Sequence, residues 1–381
     1  MAALCCALGL VLAGCSAQSW PGYYWQAAAG QMQLLTSARP VATTMQDPAT
    51  PDALRQRLER SQHMRRYASE RLGLPDNASY RRYADIQRDN PVWNVVAAPV
   101  DALTLHTWCF PIVGCVGYRG YFHEADAQTQ ASRLRAQGLD VHVYGVPAYS
   151  TLGWFNWLGG DPLLSSFIHW PEPELAGLIF HELAHQLLFV PGDTAFNEAF
   201  ATAVQRLGTA QWLRDAGTPA QQAAFARSER WRLSWQALTQ STQAELAALY
   251  AAQHTTPLTP QALQTRKQAL LQDFRQRYAA LRQQWRPAAQ PNPHDGARND
   301  AWARLDDWVA QANNASFASL GLYEDWVPAF TAMFQQADGD WPRFYDAVRA
   351  LAALPPEARR SALCAALPTD SPACDRAPDP D

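Results

Sequence analysis

The residues best placed to do chemistry are those of the run His181-Glu182-Leu183-Ala184-His185. On a helix, positions i and i+4 share a face, so His181 and His185 can aim ring nitrogens at one metal ion. Glu182 lies about 100° further round the helix and can reach a water beside that ion without being a ligand. Neutral imidazoles with an open fourth position suit zinc, beside which water reaches a pKa near ~7. The flanking Leu178, Ile179, Leu183, Ala184 and Leu187 are uncharged, as a buried metal-bearing helix requires. A third ligand is needed, and Glu198 is the candidate: it lies thirteen residues beyond His185, after the Pro191-Gly192 break, on a helix able to fold back over the first. Asp193 competes for that role but reads instead as the N-cap of this second helix. The expected chemistry is hydrolysis, with Glu182 as general base. A tetrahedral intermediate then needs a second electrophile, for which Tyr323 is the first candidate and Tyr149 the second. His123, His142 and His169 have no metal spacing and are not expected to be ligands.

The elements that must position this group read as sheet first, helices later. Tyr23 to Thr36 and Pro51 to Leu72 have helical spacing of apolar residues. Val92 to Val100 reads as a buried strand and Val113 to Phe122 as a second one, interrupted by glycines. A helix over Glu124–Gln137 stops at Gly138, a strand follows at Asp140–Tyr144, and Ala148–Phe155 is extended and aromatic. This succession predicts one small mixed β-sheet. Helices are then expected at Pro173–Phe189, Thr194–Leu207, Pro219–Ala252 (capped by Thr218) and Pro260–Trp285, the last two pairing as a hairpin. After a turn-rich linker at Pro287–Asp295, helices follow at Asn299–Asn314, Tyr323–Gln336 and Trp341–Leu354. The class is α+β with a mainly helical C-terminal half. The expected divisions are residues 1–14, 15–22, 23–207, 208–286, 287–354 and 355–381: leader, tether, catalytic region, helical hairpin, C-terminal helices and tail.

Composition narrows the function. Of 381 residues 48% are hydrophobic and 17% charged, which excludes a disordered polyelectrolyte. A formal charge of −4 gives no whole-protein field for nucleic acid. The uncharged run Met1–Gly14 is too short to cross a bilayer, which takes about 20 residues, but suits a signal-peptide core. It ends Leu12-Ala13-Gly14-Cys15, which resembles a bacterial lipobox, although no Lys or Arg precedes the run. Cys15 is then the lipidated residue, and the mature protein has no transmembrane helix. Ser16 after it favours the periplasmic face of a Gram-negative outer membrane. The remaining Cys109, Cys115, Cys364 and Cys374 suggest two local disulfides, 109–115 and 364–374; neither pair has metal-ligand spacing.

The Asn197-Glu198 pair resembles that of gluzincin metallopeptidases, though its separation from His185 is shorter than usual there. The chain as a whole is similar to a family of bacterial lipoproteins named putative aminopeptidases. The segments that carry this are Tyr23 to Gln31, Ser79 to Asp85, Trp93 to Pro99, Trp108 to Pro111, Gly114 to Phe122, Ala148 to Phe155, His181 to Gln186, Thr194 to Ala201 and Asn313-Asn314-Ala315. The resemblance implies a zinc-dependent peptidase on a zincin-like fold. In zincins the strand before the metal helix pairs with extended peptide, so Ser150, Thr151, Leu152 and Gly153 are candidate substrate contacts. Arg119 is a candidate for a substrate carboxylate or a structural pair, and Glu324 and Asp325 for a substrate ammonium. A second function class stays open: a lipoprotein that binds peptides or envelope partners on this scaffold with little turnover.

Overall fold

The computed structural model describes residues 20–110, 114–148, 159–285, 295–367 and 374. The leader, Cys15, Tyr149, Ser150, Thr151, Leu152 and Gly153, and most of the linker after Trp285 lie outside the described residues. In chain order the helices are α1 (Trp20–Ser37), α2 (Val41–Gln46), α3 (Asp52–Glu70), α4 (Glu124–Ala136), α5 (Glu172–Leu187), α6 (Thr194–Ala216) and α7 (Pro219–Ala251). They continue with α8 (Pro260–Trp285), α9 (Asp295–Gln311), α10 (Asn314–Glu324), α11 (Val327–Gln336), α12 (Trp341–Ala352) and α13 (Pro356–Ala365). The strands are β1 (Arg39–Pro40), β2 (Arg82–Ala84), β3 (Val92–Pro99), β4 (Trp108–Phe110), β5 (Gly114–Val116), β6 (Arg119–Tyr121), β7 (Leu139–Val146) and β8 (Leu163–Leu164). No described helix is long and apolar enough to cross a membrane.

The class is α+β, but the strands do not join into one mixed sheet. They form an antiparallel sheet in the order β6-β3-β7, a small mixed sheet β1-β2-β8, and the hairpin β4–β5. The expected single strand from Val113 to Phe122 is cut between Val116 and Arg119. At Gly117 the backbone runs so close to Leu105 that a Cβ would sit 2.6 Å from its Cδ1. The chain turns there, leaving β5 to pair with β4 and β6 with β3. Cys109–Cys115 crosses the β4–β5 hairpin, and Cys364–Cys374 joins α13 to the residue beyond it.

Helices α5 and α6 form the centre of the larger core. The start of α5 is set by Pro171, Pro173 in the first turn, and Glu172 and Glu174, whose charges complement the helix N-terminus. Leu175, Ala176, Ile179, Phe180, Leu183 and Ala184 are its buried face. The helix stops at Leu187, Leu188 turning to extended geometry, and Pro191 keeps the residue before it out of the helical region as well. Asp193 caps α6 as the sequence suggests, its Oδ1 accepting from the Phe196 N–H at 3.0 Å. Unlike the expectation, α6 does not end at Leu207; it runs to Ala216, so the expected 207/208 division falls inside it. Gly208 is a contact point rather than a stop, since a Cβ there would lie 2.8 Å from Leu72 and 3.1 Å from Phe180.

A second core fills the space between the α7–α8 hairpin, α9 and α10, built on Trp235, Phe274, Trp308 and Phe317. The Thr218 cap on α7 is a full capping box with Gln221. The expected helix Asn299–Asn314 ends early at Gln311, and the expected Tyr323–Gln336 helix is two pieces. Asn313 starts α10 with a capping box to Ser316, and Pro328 sits in the first turn of α11. Asn314 explains why this segment is distinctive: its Nδ2 donates to the carbonyls of Pro99 and Ala102, and its Oδ1 accepts from the Tyr250 hydroxyl. Lys267, the single lysine, is buried beside it, donating to Asp140 and to the Val100 carbonyl. Asn313-Asn314-Ala315 is thus a polar junction tying the sheet to the helical half. The last correction concerns the expected tail from residue 355, whose first part is helix α13, docked on the N-terminus of α6.

Candidate metal centre

His181 and His185 lie on one face of α5, one turn apart, and α6 returns antiparallel to bring Glu198 against them. The His181 Nε2 is 3.1 Å from the His185 Nε2, and a Glu198 carboxylate oxygen is 3.3 Å from the first and 3.6 Å from the second. Among the described residues, these three form the group of His, Cys, Asp or Glu side chains able to hold one ion. Zinc–ligand distances of about 2.0–2.2 Å in a tetrahedron place neighbouring ligand atoms about 3.3–3.6 Å apart. Two sides of the observed triangle, 3.3 and 3.6 Å, have those dimensions and the third, 3.1 Å, is slightly shorter, so the three donors present fit zinc.

Local structure explains the convergence. The two helices approach closely where Gly177 faces α6, a Cβ there standing 3.1 Å from Thr209 Oγ1 and 3.2 Å from Gln205 Cγ. The turn between them is clamped by Asn197, which donates to the Val190 carbonyl at 2.7 Å and accepts from the Val190 N–H at 2.8 Å. Asp193, already the cap, accepts a second bond from the buried Arg359 on α13 at 2.9 Å. Gln186, next to His185, bonds to Asn77 and Ser79 and so holds the C-terminal end of α5. Gly114 of the disulfide hairpin packs on Gly192 in the same α5–α6 turn.

Electrostatics agree with a ligand set. Burial raises the pKa of the Glu198 carboxyl, but the charges and hydrogen bonds of His185 and His181 outweigh it and hold the group well below the usual carboxylate range. Burial pushes the His185 imidazole down, while Glu198 and then Glu182 more than reverse this and leave it raised. The Nδ1–H of His181 donates to Gln205 Oε1 at 3.1 Å, which fixes the tautomer with Nε2 facing the centre. The buried Nδ1 of His185 has no partner among the described residues, so that ring is held by packing and by the contacts of its Nε2 with His181 and Glu198. Glu182 is half-buried and makes no hydrogen bond or ion pair among the described residues, as an available base should.

Two outcomes follow from this second layer. Gln205→Ala should leave the fold intact and lower zinc affinity by about 10–100-fold, the usual effect of removing an outer-shell partner; competition with a chromophoric chelator reads it. Protonated imidazole cannot bind a metal. The raised pKa of His185 means that it keeps its proton to higher pH than an ordinary imidazole, so loss of affinity on acidification starts correspondingly earlier. Below that point zinc affinity should fall at least about tenfold per pH unit, and a flat profile from pH 8 to pH 5 would contradict the ligand assignment.

A family model described as "Putative aminopeptidase" matches residues 22–363. The chain belongs to that family. The match runs from α1 to α13 and takes in α5, α6 and every strand described. No curated protein and no solved structure matches the chain.

Within this aminopeptidase-family chain the remaining sequence candidates scatter. Tyr149 and Ser150 to Gly153 lie outside the described residues, and Tyr323, in the last turn of α10, has a side chain outside them too. Arg119 packs away from the His–His–Glu group among the residues holding α1, its guanidinium 4.1 Å from the Tyr23 ring centroid. His142 is a core imidazole between Tyr144 and Trp308, burial and then Arg135 pushing its pKa down to about 4. Sequence reasoning missed Gln205, Arg359 and Tyr144. Gln205 was legible as the residue two turns after Glu198 on the same helix; the other two carry no spacing signal. Tyr144 stands on β7, accepts from Asn94 Nδ2 at 3.4 Å, and has no acceptor for its own proton among the described residues. Burial raises its pKa, Asn94 lowers it and the charge of Glu198 raises it, so at neutral pH the hydroxyl is an O–H donor.

Proposed function

We propose that the chain is a zinc-dependent peptidase of zincin-like design, removing N-terminal residues from short peptides at the periplasmic face of an outer membrane, to which Cys15 tethers it through lipid. The observation that carries this reading is the His181, His185 and Glu198 triangle with an uncommitted Glu182 beside it. Bound there, zinc supplies a Lewis acid for the scissile carbonyl and lowers the pKa of water. Glu182 takes the proton of the attacking water on a carboxylate oxygen and hands it to the departing amine nitrogen. Tyr144, within the field of Glu198, offers its O–H to charge developing on the carbonyl oxygen. The backbone from His142 to Val146 pairs only with β3 among the described residues, while Asn313 Nδ2 occupies the carbonyl of Val141 just before it. That one-sided stretch of β7 can add the main chain of an extended peptide as a further strand.

The test compares the zinc-loaded chain on peptides with free and with blocked N-termini. Hydrolysis of free-amine peptides alone supports the aminopeptidase reading. Cleavage of blocked peptides as well makes the enzyme an endopeptidase, and zinc bound with no turnover of either leaves a peptide-binding lipoprotein. Tyr144→Phe should lower kcat by about 10-fold or more with zinc retained, as loss of one oxyanion donor does.

A further inference from the structure

Helix α1 has eighteen residues and no charge among them. One side is fixed to the protein. Gln26 bonds to the carbonyl of Gly120 and the N–H of Phe122, Tyr23 stacks on Phe110 and meets Tyr121 edge-on, and Leu34 and Leu35 are buried. Gly30 closes onto the Phe122 ring with no room for a Cβ. The helix therefore cannot turn its other side inward. That other side carries Trp25, 73% exposed, and Met32, 52% exposed, seven residues apart and thus on one stripe, with the exposed Ala28 and Ala29 between them. An uncharged stripe headed by a tryptophan is costly in water and suits the headgroup–acyl boundary of a bilayer, where indole rings concentrate.

We propose that this face of α1 lies in the membrane interface and sets the orientation of the enzyme on the bilayer. The occupant is named by what precedes the helix. Cys15 is five residues before Trp20, a span of at most about 18 Å when fully extended. A lipid on Cys15 holds the start of α1 against the surface, where the contribution of the stripe adds to that of the acyl chains. The inference rests on the reading of Cys15 as the lipid-bearing residue, and the experiment separates the two.

The full chain carrying Trp25→Cys is isolated from its membrane and labelled with an environment-sensitive dye. Ser228→Cys, an exposed polar position on α7, serves as the control. Mass measurement of the N-terminal peptide reports acylation independently. With vesicles of phosphatidylethanolamine and phosphatidylglycerol, the expected result is a several-fold rise and blue shift of emission at position 25, with none at 228. Acylated, vesicle-bound protein whose position 25 stays in water would overturn the inference and leave the tether standing. An unmodified Cys15 would overturn the tether; position 25 is then read on residues 16–381 with the same vesicles, where absence of a shift overturns the inference too. Met32→Glu, carried on the labelled chain of residues 16–381, should weaken vesicle binding by about tenfold by placing a charge in the stripe, and unchanged binding would count against it.

Discussion

Glu198→Gln should strip the protein of zinc at concentrations that saturate the parent, while the variant remains folded without metal. The substitution keeps the size of a largely buried side chain and removes the one anionic ligand. Two imidazoles 3.1 Å apart remain, with no carboxylate to neutralise the ion. Affinity should fall by more than the about 10–100-fold that an outer-shell partner is worth, so the variant should be far weaker than Gln205→Ala. The acid side of the profile should change as well. Without the Glu198 charge the raised pKa of His185 has lost its main favourable cause, and burial should carry that imidazole below its ordinary value. Proton competition then begins at lower pH. A variant that binds zinc as tightly as the parent would remove Glu198 from the ligand set.

Glu182→Gln should have the opposite signature: zinc retained, turnover lost. General-base removal is worth about 10²–10⁴ in rate, or about 3–5 kcal/mol of barrier. Glu182 is absent from the converging triangle, and glutamine in its place still accepts a hydrogen bond from water but takes no proton from it. KM for a short free-amine peptide should stay within a few-fold, because substrate binding is not asked of this carboxylate. Retained turnover with retained zinc would mean that another group moves the proton.

The convergence of His181 and His185 was legible because its signal is local. A spacing of four on a helix is a statement about one face, and α5 meets it without help from the rest of the fold. Glu198 was legible for a related reason: an Asp cap and a Pro-Gly break announce a helix that turns back, and thirteen residues allow one return. What the sequence could not supply was contact across the chain. Arg359 lies 166 residues from the Asp193 it bonds, and nothing in the spacing of α13 announces that partner. Tyr144 had only strand alternation to mark it, which says which face a residue takes but not what stands opposite. Asn313-Asn314-Ala315, one of the segments that carry the family resemblance, has a structural part that its sequence does not announce, a capping box and four hydrogen bonds joining sheet, hairpin and helix. The cut between β5 and β6 was missed because Gly117 looked like an interruption inside a strand, whereas its closeness to Leu105 turns the chain.

The most direct test of the central claim is a zinc titration of the chelator-stripped protein, read simultaneously as bound metal and as hydrolysis of a short free-amine peptide. The account predicts that activity is absent without metal, rises in proportion to zinc, and saturates at one ion per chain, with His181→Ala binding none. Hydrolysis that survives stripping, or zinc that binds as well after His181→Ala, would contradict it.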